Sequence, residues 1–392
     1  MSVTMPAFLA LLFCFCLPDG NNYREGLVPK TILVEHTEQN IMLSDVFVLS
    51  GFTLMETGRK YPLRGMNKIL FEDENLYILD NGTDFQNIWV VDEKTGRFTG
   101  RIGEQGSTPD AYEGLNDIVL HDGRIACSVA AKMSVVHYDK TGNATGTMKT
   151  GIFGEELEYM PGDRLVVYNE YNATPVSGNY HLLFYDRKGN LTKKAFPYAA
   201  KQDGNGFAFT GSISNSNGTV WFNPPFSDTV YEITSAGRTI PRFVYDFGSS
   251  AIPATLREEK LSGWDTHDYA YVNENFISLG RFVLFGYFSN RRIKLGVFDE
   301  FTGKFLAFQD AERDHLYELL QLGDIFPKDN HTFALVLRPS RIEYLKQHYI
   351  DDLESVGKVY PKLAEAIWSM DSGSNPLILY LSFLPGASIG DQ

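Results

Sequence analysis

The residues most able to do chemistry in this chain sit in loops. Arg291-Arg292, inside Ser289-Asn290-Arg291-Arg292, is the one adjacent pair of arginines in an acidic sequence. Paired guanidinium groups present planar forks of N–H donors that suit a carboxylate, sulfate or phosphate. A solvated loop tip would look the same. Trp264 and Tyr269 share one long connection. Their rings offer faces to a sugar or a peptide, or they anchor the connection itself. Arg64, Asp110, Tyr112, Glu113 and Tyr171 complete a candidate set of polar and aromatic residues near the ends of strands.

A metal site has one basis only. Glu155, Glu156 and Glu158, with Asp117 and Asn275, carry the oxygen donors that Ca²⁺ takes. No other cofactor is expected. The eight His are scattered, and His137 and His181 stand two and five residues before their respective turn aspartates, Asp139 and Asp186. They occupy different strand positions and do not form a ring. The sequence holds no zinc-type Cys/His spacing, Gly-x-Ser-x-Gly elbow, HExxH motif or phosphate-cradling Gly-rich loop. Cys127 lies in the apolar run Arg124–Val129 and reads as a buried structural thiol.

The other two cysteines, Cys14 and Cys16, belong to the apolar run Pro6–Leu17. That run has the length of a signal-peptide core and is too short to span a bilayer. Residues 1–22 are therefore expected to direct export, and residues 23–392 to form the folded body. Cys16, before Cys14, is the candidate for lipidation; a plain cleaved signal is the alternative. The expected location is the periplasm or an outer-membrane-anchored position in the envelope. No later segment is long and apolar enough to cross a membrane. A net charge of −14 repels phosphate backbones, so nucleic acid is not an expected partner.

What positions the candidates is a repeat. Trp89-Val90-Val91-Asp92 leads into a turn ending at Gly96, Val136-His137-Tyr138-Asp139 into one at Gly142, and Leu183-Phe184-Tyr185-Asp186 into one at Gly189. Successive aspartates are 47 residues apart. A degenerate copy follows at Val230–Gly237, a clean one at Gly296–Gly303, and a last strand at Leu377–Phe383. In each turn the carboxylate can accept backbone N–H groups while Gly supplies positive φ, so these aspartates read as turn residues rather than metal ligands. Aromatic residues at 14% and 35 Gly agree with many short strands joined by tight turns. Four strands per repeat of 40–50 residues is the pattern of a propeller blade. The expectation is an all-β, six-bladed propeller of four-stranded antiparallel blades. The last blade lacks its outer strand, and residues 46–55 are the natural donor, which would remove an open edge.

Strand direction alternates within a blade, so two classes of loop fall on opposite faces. The connections Asn169–Asn179, Gly248–Asn275 and about Arg338–Asn375 are the long ones, and all map to one face. Loops beyond about 12–15 residues are uncommon without a role, and binding residues concentrate on loops held by a rigid scaffold. The last of the three is expected to be a helical pair. One helix would carry Ile342, Leu345 and Ile350, and the next Val359, Leu363, Ile367 and Met370. It would either cap the last blade or form a lid over the central pocket.

Three stretches carry a family resemblance: Met42-Leu43-Ser44-Asp45 followed by Leu54-Met55-Glu56-Thr57, the Gly-rich Ile102–Tyr112, and Asn375-Pro376-Leu377-Ile378-Leu379-Tyr380. Over roughly residues 40–385 the chain resembles the six-bladed β-propeller proteins of Bacteroidetes envelopes, which are similar to NHL and TolB-like propellers. The resemblance implies the fold, a first strand at residues 42–57 and a closing strand at 375–380; it supplies no catalytic residue. The functional expectation is a monomeric, exported binding module for a carbohydrate, peptide or protein partner on the long-loop face. A hydrolase or lyase with a metal at the channel axis is the alternative, and a scaffold that uses its outer strands is a third.

Overall fold

The computed structural model describes residues 28–390 apart from 59–60, 64, 83–84, 206–210, 217, 258, 260–267 and 322, with backbone alone for 273–275. The signal segment with Cys14 and Cys16, and the candidates Arg64 and Trp264, lie outside the described residues, as does the side chain of Asn275.

The described strands form six sheets. Blade 1 runs Met66–Glu72, Asn75–Asn81, Gln86–Asp92 and Phe98–Arg101, from the axis outward. Blade 2 runs Leu115–His121, Arg124–Val129, Ser134–Asp139 and Ala144–Lys149. Blades 3 and 4 begin at Glu156–Met160 and Ile213–Ser216, and blade 5 at Tyr271–Leu279. Blade 6 holds Asp324–Pro327, Thr332–Leu337 and Leu377–Phe383, and its outer strand is Phe47–Leu54, paired antiparallel with Leu377–Phe383. The chain is thus a six-bladed β-propeller closed by its own N-terminal part.

The turns form for the local reason read from the sequence. Asp92 accepts from the Thr95 amide and hydroxyl, Asp139 from the Thr141 and Asn143 amides, and Asp186 from the Lys188 and Asn190 amides. At Gly96, with φ 69°, a Cβ would stand 2.0 Å from the Leu54 carbonyl oxygen, so the first blade's outer turn can lie against the closing strand only as glycine. Alternating side chains from neighbouring sheets then interlock into six apolar layers, one between each pair of blades.

Three features depart from expectation. Residues 43–46 form a short helical turn rather than a strand, and the strand starts at Phe47. Further upstream, Lys30–Leu33 lies parallel to Thr239–Asp246 as a fifth strand of blade 4, and Thr37 bridges to Phe305 on the outer strand of blade 5. Residues 30–54 therefore form a belt across blades 4, 5 and 6, and cover edges that would otherwise be open. The insertion of the last blade is three helices, Pro339–His348, Ile350–Val359 and Pro361–Ser369. Tyr349 and Tyr360 leave helical geometry and break the expected pair, so Ile350 and Val359 fall at helix ends and are half exposed.

The helices bury Ile342, Leu345, Leu353, Val356, Leu363 and Ile367 in the layer between blades 5 and 6, together with Leu316, Leu319 and Leu320. Each fully buried aliphatic side chain contributes about 1.5–3 kcal/mol. The insertion is an integral part of that layer, and none of its residues lines the central channel.

Candidate functional site

Two concave regions hold convergent polar groups. The first is the channel, a space of about 490 Å³ among the inner strands. In blades 1 and 2 the inner strand breaks register between Met66 and Lys68 and between Leu115 and Asp117. Bulges of this kind re-aim the side chains that follow them. Here they bring Lys68 to Asp117 at 3.0 Å and to Glu158 of blade 3 at 3.6 Å. One ammonium thus joins three blades across the axis.

Around it the carboxyl groups are committed. Asp117 also accepts the Leu157 amide at 2.9 Å. Glu156 accepts the amides of Gly211, Ser212 and Ile213 at 2.9, 3.1 and 2.7 Å, which stitches blade 3 to blade 4. Glu155 takes the side-chain amides of Asn116 and Asn172. Burial pushes Glu158 up to about 7; Lys68 pulls it down and Asp117 pushes it up. Glu156 is pushed up to about 8 by burial and Asp117, against the pull of its amide donors. Asp117 is also raised by burial, with Lys68 opposing. For Lys68, burial works against the charge, and the attraction of Asp117 and Glu158 outweighs it, so its ammonium holds its proton more tightly than usual. Of the oxygen donors expected for Ca²⁺, Asp117 and Glu158 meet here around Lys68, while Glu155 and Glu156 are held by other donors. Among the described residues no group of three or more His, Cys, Asp or Glu is arranged to hold a metal.

The second region is an open cavity of about 1160 Å³ between the insertion and the edge of blades 5 and 6. Its walls carry four guanidinium groups, Arg291, Arg292, Arg338 and Arg341, against the carboxylates of Glu318 and Asp324. Asn290 and Arg291 have φ of 52° and 62°, the geometry of a two-residue hairpin, and this aims Arg291 and Arg292 outward at the blade 5 tip. Arg292 has no ion-pair partner among the described residues, and Arg291 only a long contact of 3.7 Å to Asp268. Arg338 bonds Asp324 at 2.5 Å. Arg341, largely buried, donates to the Glu318 carbonyl at 2.8 Å, while Glu318 is also held by Arg313. Two polar atoms remain buried and unpaired here, the Arg341 Nε and the Gln309 Oε1. Tyr317, Tyr344 and Tyr349 supply aromatic faces.

The other expected site residues fare differently. Tyr112 is fully buried in the layer between blades 1 and 2, edge-on to Tyr138, and burial raises its hydroxyl pKa. Tyr171 is buried against His181 and Tyr198. Neither is open to a ligand: the ring of Tyr112 is drawn into an interblade layer, and that of Tyr171 packs on its own blade's His181 and Tyr198. Asp110 and Glu113 are exposed, in a loop held by Lys132 through the carbonyls of Thr108, Pro109 and Ala111. Tyr269 is partly buried beside Asp268, which Arg291 approaches. His137 bonds the Tyr159 hydroxyl, and His181 bonds the Glu170 carbonyl with its pKa lowered to about 4 by burial, so the two stand apart.

Sequence reading missed Lys68, Arg338 and Arg341. A lysine inside the apolar strand Met66–Glu72 was the available signal for the first. The arginines stand three apart at the start of a helix, where the apolar spacing drew attention instead.

Comparison with known proteins agrees with this architecture. Among curated proteins, none matches. Among solved structures, a nominally exported protein of Bacteroides fragilis is similar with a TM-score of 0.69 at 16% identity, over 91% of this chain and 100% of that one. A member of the DUF4221 family from Bacteroides vulgatus is similar with a TM-score of 0.51 at 7% identity, over 88% and 100%. At such identities the likeness shows the fold alone. A catalytically inactive virginiamycin B lyase of Staphylococcus aureus reaches a TM-score of 0.44 at 10% identity, over 83% of each chain, and carries no argument about activity. Residues 30–382 match the family described as a domain of unknown function, DUF4934, and the chain belongs to that family.

Proposed function

We propose that the protein is an exported envelope binding module that holds a carbohydrate, peptide or protein partner on its long-loop face, in the cavity beneath the helical insertion. The observation that carries this reading is the convergence of four arginines in an open cavity of about 1160 Å³, within a chain of net charge −14. Positive walls in an acidic protein concentrate an anionic group at one place. The description of the Bacteroides fragilis neighbour as exported supports the location, with Cys16 or Cys14 as the point of lipid attachment. Intact-mass measurement of the mature N-terminus tests that attachment, and an unmodified terminus beyond Cys16 would reject it.

Glycan and peptide arrays probed with the wild type and with an Arg291→Ala/Arg292→Ala variant test the binding site. The expected result is a ligand that the variant loses; a ligand held equally by both would move the site elsewhere. The alternative of a hydrolase or lyase with an axial metal is less well supported. The channel carboxylates it requires are bound to Lys68 and to backbone amides.

A further inference from the structure

The cavity's chemistry narrows what it takes. Arg292 has no counter-ion among the described residues, and Glu318 is shared between Arg313 and Arg341, so positive charge is left over. Two orphaned atoms mark what is missing: the Arg341 Nε needs an acceptor, and the Gln309 Oε1 needs a donor. A ligand with both functions would pair them. A pyranose bearing an acidic substituent has both, an anionic acceptor beside hydroxyl donors. The half-exposed ring of Tyr344, with Arg341 stacked 5.3 Å over it and Tyr349 at 5.7 Å, offers the aromatic face such a ring lies on.

A peptide is a poorer fit. Backbone addition needs an open strand edge, and the inner strand that borders the cavity, Asp324–Pro327, has only four residues. The remaining walls are a hairpin tip, strand side chains and helices. The volume also exceeds the roughly 300–1,000 Å³ of sites for single small molecules, which points to several linked sugars.

We infer that the cavity binds an acidic oligosaccharide, its carboxylate or sulfate groups taken by Arg292 and Arg341 and its hydroxyls by Gln309. This rests on the binding-module reading. The test is an array of uronate oligosaccharides, the same oligosaccharides after carboxyl reduction, sulfated galactans and acidic peptides. It is probed with the intact protein and with Arg292→Ala, whose exposed position leaves folding undisturbed. The inference expects uronates or sulfated galactans to bind and reduced glycans not to bind. It also expects Arg292→Ala to weaken binding by about ten- to a hundredfold and added salt to weaken it further. Preference for the uronate or the sulfate arm identifies the acidic group. Equal binding of the reduced glycans, or binding of acidic peptides alone, would overturn the saccharide inference and leave the module reading standing. Binding of nothing on the array would overturn the saccharide inference, and binding unaffected by Arg292→Ala would overturn the assignment of this cavity as the site.

Discussion

Replacing Lys68 by Met should expose what holds the centre of the ring. The side chain is one-fifth exposed, whereas Asp117 and Glu158 are 5% exposed, so the substitution leaves two buried carboxyl groups without their cation. Removing one partner of a buried ion pair costs about 3–5 kcal/mol. The loss should depend on pH in a defined direction. Glu158 has its native pKa raised from 4.5 to about 7, so it binds its proton more tightly in the folded state. Its contribution to stability is full below about pH 4.5 and is lost as pH rises through 7, by about 3 kcal/mol. Without Lys68 the pull that holds Asp117 and Glu158 down is gone, and the loss extends to higher pH. Urea unfolding should therefore place Lys68→Met about 3–5 kcal/mol below the wild type at pH 8, with part of that gap closed at pH 4.5, where Glu158 is protonated. Lys30→Met, at an exposed pair with Glu300, serves as control and should change stability by less than about 1 kcal/mol. A gap of equal size at both pH values would refute the reasoning, since it would assign the effect to packing rather than to charge.

Three further outcomes follow from the packing. Asn375 is buried and ties the last blade to the connection into the first, accepting from the Leu63 amide and donating to the Glu56 and Tyr61 carbonyls. Asn375→Ala should lower stability by about 2–3 kcal/mol in chemical denaturation, and an unchanged midpoint would deny it that role. Truncation to residue 39 removes Ile32 and Val34, both buried, and uncovers the outer edge of blade 4. Melting should fall and aggregation rise, as light scattering during heating would register, with burial alone accounting for about 3–6 kcal/mol. Cys127 is wholly buried and its thiol pKa is raised by burial, so it should resist alkylation at pH 8 in the native protein and react on unfolding. Rapid native labelling would place it elsewhere.

Much of the architecture was legible because its causes are local. An aspartate that caps its own turn, a glycine at positive φ and an apolar strand before them act within a few residues, so each repeat announces its blade. The sidedness follows from strand alternation alone, and the donor of the missing outer strand follows from counting strands. Arg291 and Arg292 were legible because they are the one pair of adjacent arginines in an acidic chain. Tyr112 and Tyr171 were misread because loop membership says nothing about which layer lies beneath the loop; the apolar area of a tyrosine ring decides that once the blades are packed.

The sequence by itself therefore determined the number of blades, the way the ring closes and the face on which long connections gather. Only the tertiary structure decided where charge meets charge. Lys68 and Glu158 come from different blades, as do Arg292 and Arg341, and no pattern within a few residues links either pair. They are brought together by the ring's curvature and by the insertion packing between blades 5 and 6. The N-terminal belt is of the same kind. Lys30–Leu33 pairs with the outer edge of blade 4, an edge that exists only in the folded molecule.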